Sequence, residues 1–151
     1  MLLKGNKAPD FELPDQDQKL VRLSQFQGQY VVLFFYPKDD TPTCTREAAG
    51  FSALKEQFLA KHTQILGLSK DSPRSHLAFC GKYGLQLRLL SDTEGTTLND
   101  YGVWQKKLNF GISYMGIVRT TLLIDPEGKI MTVWEKVRGK GHPEAVLQAI
   151  P

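Results

Sequence analysis

Only two cysteines occur in this chain of 151 residues, at positions 44 and 80. The first lies in the segment DDTPTCTREAAGF, residues 39–51. Thr41 is a favourable N-cap residue and Pro42 a favourable first residue of a helix, so we expect Cys44 in the first helical turn. The unpaired N–H groups and the dipole at that end of a helix stabilise a thiolate over a thiol. The sequence therefore predicts that Cys44 reacts as a thiolate nucleophile.

The alternative for Cys44 is a small buried hydrophobic residue, which is the commonest role of a free cysteine. Threonines at positions 41, 43 and 45 surround it, and a strand-to-helix connection at a sheet edge is usually partly exposed. Both features favour a partly exposed, reactive thiol. The Thr41 hydroxyl, three residues earlier, is available to donate to the thiolate or to an oxygen that reaches it.

Composition narrows the class of protein. The length suits one domain over residues 1–151 with a sizeable core. No segment approaches the roughly 20 apolar residues of a membrane helix, and the apolar stretch in residues 1–15 is too short for us to expect a secretory signal there. We therefore expect a cytoplasmic protein with no membrane partner. The net charge of +3 is dispersed and indicates no nucleic-acid binding. Because there is no C-x-x-C and no Cys/His pair at zinc-site spacing, we expect no metal and no cofactor.

Three elements would position Cys44. Residues 30–37, YVVLFFYP, form a continuous apolar run that predicts a strand buried on both faces. From about residue 42, Ala48, Phe51, Leu54 and Phe58 recur at three- and four-residue steps, which predicts an amphipathic helix. Residues 63–69 predict a second buried strand. Together they form a βαβ unit whose crossover should be right-handed.

The rest of the chain continues the alternation of helices and strands. We predict a helix over 71–84 with Ser72 as its cap, a strand over 87–92 and a helix over 96–103. The turn DPEG, 125–128, should join two strands, and a helix over 142–150 should follow. This order predicts an α/β fold with a central mixed β-sheet flanked by helices on both faces. A thioredoxin-like arrangement is one solution, and periodicity does not select it.

One segment is more specific than these patterns. FFYPKDDTPTCTREAAGF resembles the active-site segment of peroxiredoxins, in particular the peroxiredoxin Q group, also called bacterioferritin comigratory protein. Its core is Pro-x-x-x-Thr-x-x-Cys, here Pro37, Thr41 and Cys44. GNKAPDFELPDQD, LLSD and GIVRTTLLIDPEGKI resemble the same group in the same order. The resemblance implies a thioredoxin-like fold with an N-terminal extension, and a thiol peroxidase acting on hydrogen peroxide and organic hydroperoxides.

The resemblance also implies roles for individual residues. Cys44 would be the peroxidatic cysteine, Pro37 would shield it from water, and Arg119 would stabilise the thiolate and the peroxide from a neighbouring strand. Without the resemblance, Arg119 would be a solvated strand end or part of a structural ion pair. Glu47 would orient Arg119, or else be a solvated charge that the helix dipole favours. Both interpretations of Glu47 remain open.

Many members of the group carry a second cysteine five residues after the first, where this chain has Ala49. A subset places its resolving cysteine on the next helix, and Cys80 resembles that version. The alternative is a core cysteine, since His76, Phe79, Cys80 and Tyr83 share one helical face. Gly81 and Gly84 would each weaken the helix by about 1 kcal/mol relative to Ala, which favours local opening of its end.

The implied cycle ends with an intramolecular Cys44–Cys80 disulfide that thioredoxin or a similar dithiol reduces, in a monomer. The alternatives are a one-cysteine peroxidase with a structural Cys80, a dithiol exchanger of thioredoxin fold, and a redox sensor. The missing C-x-x-C counts against the exchanger. Among lesser candidates, His62, His76 and His142 are expected at the surface or in the core, and Trp104 and Phe110 at a pocket rim or in the core.

Overall fold

A computed structural model describes residues 2–138 and 140–151. Its core is a five-stranded sheet made of β3 (Tyr30–Phe35), β4 (Thr63–Ser69), β5 (Arg88–Ser91), β8 (Thr120–Ile124) and β9 (Ile130–Glu135). The strands lie in the order β5-β4-β3-β8-β9. The first three are parallel, whereas β8 runs antiparallel to β3 and β9 antiparallel to β8. The predicted mixed sheet is confirmed.

Side chains of the central strand β3 alternate between two hydrophobic clusters. Val31, Leu33 and Phe35 belong to one cluster, and Val32 and Phe34 belong to the other. The second cluster holds residues of four helices: α1 (Pro42–Ala53), α2 (Lys55–Ala60), α3 (Pro73–Tyr83) and α5 (His142–Gln148). The first holds Leu98 of α4 (Thr96–Asp100) and the N-terminal residues Ala8 and Phe11. Burial of β3 on both faces explains its unbroken apolar sequence.

Two helices differ from the predictions in detail. The single helix expected to run through Phe58 is interrupted at Leu54, and α2 (Lys55–Ala60) follows. Helix α3 begins as predicted, because the Ser72 hydroxyl accepts a hydrogen bond from the Ser75 N–H at 3.1 Å. Gly84 follows the last residue of α3 with a left-handed φ of 63°. It therefore caps this helix, and the expectation that it weakens the helix is wrong.

Two small hairpins lie outside the main sheet. The N-terminal extension contains β1 (Glu12–Pro14) paired with β2 (Leu20–Arg22). The second hairpin pairs β6 (Trp104–Asn109) with β7 (Ile112–Ile117) and was not predicted. Its two-residue turn, Phe110–Gly111, has positive φ at both residues. Phe110 is 95 % exposed, so the expectation that it packs in the core is wrong.

No helix in the described part of the chain is long and apolar enough to cross a membrane.

Candidate active site

Cys44 is the third residue of α1, in the first helical turn that the sequence predicts. It is only 2 % exposed, so the expectation of a partly exposed thiol is wrong. The reason is packing, because this turn joins the hydrophobic cluster that also contains Ala48 and Phe51. Cys44 is nevertheless in contact with a charged group, which distinguishes it from an inert core thiol.

That charged group is the guanidinium of Arg119. Its Nη2 donates to the Cys44 sulfur at 3.1 Å, and its Nη1 donates to Glu47 Oε1 at 2.9 Å. Strand pairing explains the contact, since Cys44 follows β3 and Arg119 immediately precedes β8, the antiparallel neighbour of β3. Burial lowers the pKa of Arg119, but its bonds to Cys44 and Glu47 outweigh this and hold the pKa above its ordinary value. Arg119 therefore presents a fixed positive charge to the sulfur.

Glu47 lies one turn after Cys44, and its side chain is 5 % exposed. It is therefore not the solvated charge of the alternative interpretation. Burial raises the pKa of Glu47 to about 7, although Arg119 counteracts part of this effect. Oε1 accepts from Arg119, whereas Oε2 is buried without a hydrogen-bond partner. The salt bridge fixes the orientation of the guanidinium toward the sulfur.

Replacing Glu47 with glutamine is expected to change the pH dependence of stability. The folded-state pKa of Glu47 is about 7, against an ordinary value of 4.5. At pH values between these two, Glu47 is ionised in the unfolded chain but still mostly protonated in the folded one. The stability that this difference contributes is therefore complete below pH 4.5 and is lost as the pH rises toward 7. From about pH 4.5 to 7.5, the parent's free energy of unfolding should fall by roughly 3 kcal/mol more than that of Glu47→Gln. Urea unfolding across this range measures the difference, and parallel curves would contradict the prediction.

Thr41 occupies the N-cap position of α1 with an extended backbone, as predicted. Its hydroxyl donates to the Lys38 carbonyl at 2.9 Å, so its proton does not point to the Cys44 sulfur. The lone pairs of this hydroxyl remain available. Pro37 is half-buried directly after the buried Tyr36. Both residues lie in the connection between β3 and α1 that leads to Cys44.

A cavity of about 290 Å³ lies beside the Glu47–Arg119 pair. Its wall includes three further basic residues, Arg46, Arg138 and Lys140, and one turn of α5 that begins with His142. His142 is a core residue, and its Nε2 lies 2.9 Å from the Thr121 hydroxyl. Burial, then the charge of Arg119, lowers the pKa of His142. The cavity is therefore a mainly basic space that reaches the charged pair at Cys44.

Cys80 lies on α3, 8 % exposed, and both cysteines are free thiols. The Gln16 amide nitrogen lies 3.8 Å from its sulfur and donates to the Leu87 carbonyl at 2.6 Å. Burial, followed by the charges of Asp39 and Asp17, raises the pKa of Cys80 to about 11. Tyr83, which was expected on the buried face of this helix, is instead 42 % exposed. In this arrangement Cys80 is a buried, protonated thiol.

A buried polar cluster that the sequence did not indicate connects the Cys44 loop with the Cys80 helix. Asp39 lies five residues before Cys44 and accepts hydrogen bonds from Tyr36 and from Ser75 of α3. Its Oδ2 lies 2.7 Å from Nδ1 of His76, one turn before Cys80. Asp39 and His76 are 37 residues apart, and no spacing rule pairs them. Among the described residues, the Cys44 sulfur is hydrogen-bonded to Arg119 and to neither of these two side chains.

The chain resembles known proteins along nearly its whole length. Residues 4–133 match the AhpC/TSA family. A putative peroxiredoxin Bcp of Coxiella burnetii is 47 % identical over 143 residues, 95 % of each chain. Peroxiredoxin Bcp of Bacillus subtilis is 44 % identical over 146 residues, 97 % of this chain and 93 % of that protein.

Solved structures agree with the sequence relatives. A cysteine-to-serine mutant of PrxQ from Xylella fastidiosa superposes with a TM-score of 0.92 at 33 % identity, covering 98 % of this chain and 94 % of that one. The Xanthomonas campestris bacterioferritin comigratory protein, described for its alkyl peroxide reduction activity, gives a TM-score of 0.88 at 36 % identity over 93 % and 89 % of the two chains. The expected thioredoxin-like fold is confirmed. The chain therefore belongs to the AhpC/TSA family, in its peroxiredoxin Q and bacterioferritin comigratory protein group, and is a peroxidase of the oxidoreductase class.

Proposed function

We propose that this enzyme reduces hydrogen peroxide and organic hydroperoxides at Cys44, with Arg119 as the stabilising cation. The observation that carries the proposal is the 3.1 Å contact between Arg119 Nη2 and the Cys44 sulfur at the start of α1. A guanidinium and a helix N-terminus both favour the thiolate, which is the attacking species. The alkyl peroxide activity described for the Xanthomonas campestris relative supports organic hydroperoxides as substrates.

The first step is attack of the Cys44 thiolate on one peroxide oxygen. An S–O bond forms, the O–O bond breaks, and its electron pair leaves on the second oxygen, which takes up a proton to become water or an alcohol. Cys44 becomes a sulfenic acid. Arg119 stabilises the charge that develops on the leaving oxygen, because a fixed cation in a buried site acts without reorganisation. Thr41 and Pro37 would line the approach, and Glu47 would hold Arg119 in position.

The second step is attack of the Cys80 sulfur on the Cys44 sulfenic acid. A disulfide forms and water leaves. In this structure the two sulfurs have different neighbours. Arg119, which precedes β8, contacts the Cys44 sulfur, whereas Gln16, beside the Cys80 sulfur, binds Leu87 and Leu89 at β5. A disulfide needs Cα atoms within about 7 Å, and two helices of a packed fold seldom bring such positions so close. We therefore expect the Cys44 turn and α3 to open locally from this closed arrangement before the disulfide forms.

The third step regenerates the enzyme. Thioredoxin or a similar dithiol would attack the disulfide and leave both enzyme thiols reduced. A reducing cytoplasm would supply such a dithiol, and one chain carries both cysteines, so a monomer is sufficient for the cycle. No further cofactor enters any of these steps.

Replacing Cys80 with serine tests the proposed cycle. The first oxidation should proceed at the parent's rate, because the Cys44 sulfur contacts Arg119 whereas the Cys80 sulfur lies beside Gln16. Turnover supported by thioredoxin should fall by about tenfold or more, because the sulfenic acid has no resolving thiol. Intact mass after one equivalent of peroxide is the measurement: the parent should lose two hydrogens, and Cys80→Ser should gain one oxygen.

The competing hypothesis is a one-cysteine peroxidase in which Cys80 is structural. The burial of Cys80 and its raised pKa favour this second candidate. In that case the parent would also accumulate a sulfenic or sulfinic Cys44, and Cys80→Ser would turn over as fast as the parent. The same mass measurement therefore separates the two hypotheses.

A further inference from the structure

The polar cluster around Asp39 has a complete set of hydrogen bonds on a buried carboxylate. Oδ1 accepts from the Tyr36 hydroxyl at 2.6 Å, and Oδ2 accepts from the Ser75 hydroxyl at 2.8 Å. His76 Nδ1 lies 2.7 Å from Oδ2, and the side chains of Asp39 and His76 are 4 % and 0 % exposed. The other ring nitrogen, Nε2, lies 3.0 Å from the Leu90 carbonyl of β5.

The cluster joins two segments that the proposed cycle requires to open and rearrange. Asp39 lies in the connection between β3 and α1, five residues before Cys44. Ser75 and His76 lie on α3, and Cys80 is one turn further along the same helix. The Asp39 N–H also donates to Asp71 Oδ2 at 2.9 Å, just before α3, so the backbone and the side chain of Asp39 both bind this segment. We call these contacts between Asp39 and residues 71–76 the junction.

Because its polar groups are buried, this junction is stable when all of its hydrogen bonds are formed and unstable when only some of them are. A buried charged group is stable only while its partners are in place, and loss of one partner leaves the others unsatisfied. A fully satisfied network therefore favours one rigid arrangement over partly opened ones. Here that arrangement keeps the Cys44 turn and α3 closed against each other.

We propose that Asp39 and His76 are positioning residues that hold the Cys44 loop against the Cys80 helix, and that their separation controls the rate of disulfide formation. This inference rests on the proposed role of Cys80 as the resolving thiol. While the junction is closed, Cys44 stays beside Arg119 and reacts with peroxide. When the junction opens, the sulfenic acid meets Cys80, a disulfide forms and water leaves.

A tight junction has a chemical consequence. The longer the sulfenic acid persists, the more often a second peroxide oxidises it to sulfinic acid, with release of water or an alcohol. Variants that loosen the junction should therefore resolve faster and resist this second oxidation. They should also react more slowly with the first peroxide, because a smaller fraction of molecules is closed.

The experiment uses Asp39→Asn, His76→Gln and the milder Ser75→Ala in the full chain. Each reduced protein receives one equivalent of hydrogen peroxide, is quenched with an alkylating agent over time, and is analysed by intact mass. We expect disulfide formation to accelerate by about tenfold in the first two variants and less in Ser75→Ala, in line with loss of charged or neutral hydrogen bonds. The peroxide excess needed to reach half sulfinic acid should rise in the same order.

Two control variants separate local opening from general destabilisation. Lys82→Ala removes the 2.8 Å ion pair with Asp40, which joins the same two segments at an exposed position, so it should leave resolution near the parent's rate. Val103→Ala creates a cavity in the core cluster on the opposite face of the sheet and lowers global stability. It should not accelerate disulfide formation.

Amide hydrogen exchange of the reduced proteins gives a readout independent of the cysteine chemistry. Residues 40–46 and 73–83 should exchange faster in Asp39→Asn and His76→Gln than in Val103→Ala. Equal exchange would overturn the proposal, and so would faster exchange with an unchanged rate of disulfide formation. If Cys44 is oxidised but neither parent nor variants form a disulfide, the resolving role of Cys80 fails and the gating role fails with it.

Discussion

Cys44→Ser is expected to abolish peroxide consumption. A serine hydroxyl in the same helical turn does not ionise near neutral pH, so no nucleophile remains at the position that Arg119 contacts. The remaining thiol, Cys80, is buried and its pKa is raised to about 11, so it does not replace Cys44. Peroxide loss in the presence of a thioredoxin system should fall to the rate of the enzyme-free mixture.

The matched control for this result is Cys80→Ser, which also replaces one buried sulfur by oxygen. It should still consume one equivalent of peroxide per chain, whereas Cys44→Ser should consume none. Retained consumption in Cys44→Ser would refute the assignment of the reactive thiol. Equal loss in both variants would point to a general effect of the substitution on folding, which circular dichroism of each variant detects.

Arg119→Ala should slow the oxidation of Cys44 by about two orders of magnitude or more. Removal of one fixed donor from a charge-stabilising site typically costs this much in rate, and here the same group also stabilises the attacking thiolate. The rate is measured from the appearance of sulfenic acid and disulfide after rapid mixing with peroxide. The loss should appear in the second-order rate constant and not in the reduction of the disulfide by thioredoxin.

Arg119→Ala also leaves Glu47 buried without its partner, which destabilises the fold. The double variant Arg119→Ala/Glu47→Gln removes that unpaired carboxyl as well and restores part of the stability. If the double variant oxidises as slowly as Arg119→Ala, the rate loss comes from the missing guanidinium. If the rate returns to the parent's level, Arg119 has a structural role only.

Elements with strong local signals are predictable from this sequence. Strand β4 was predicted with its observed bounds, and Ser72 and Pro73 defined the start of α3. The β6–β7 hairpin was missed although Leu108, Phe110, Ile112 and Tyr114 alternate with polar or small residues, because its turn, Phe110–Gly111, lacks the Asn-Gly or Asp-Gly pair that signals a tight hairpin. The break of the first helix at Leu54 also lacks a Gly or Pro signal.

In the candidate site, too, the residues with local sequence signals were predictable and the contacts between distant residues were not. Local signals placed Cys44 in the first turn of a helix, because Thr41 and Pro42 adjoin it in sequence. The partnership with Arg119 spans 75 residues and was expected only from the resemblance. The Asp39–His76 contact spans 37 residues and had no signal at all. Burial of Cys44 was also missed, since it depends on how the whole helix packs against the sheet.

The β6–β7 hairpin offers a position at which a reporter domain could be inserted into this fold. Its base is closed by the Val118 N–H, which donates to the Val103 carbonyl at 2.8 Å, and its tip at Phe110 extends into solvent. A fluorescent domain inserted between Phe110 and Gly111 would displace no core side chain. Because the six residues of β7 separate this tip from the base beside Arg119, about 20 Å at the rise of a strand, such a fusion would leave the surroundings of the sulfur unchanged.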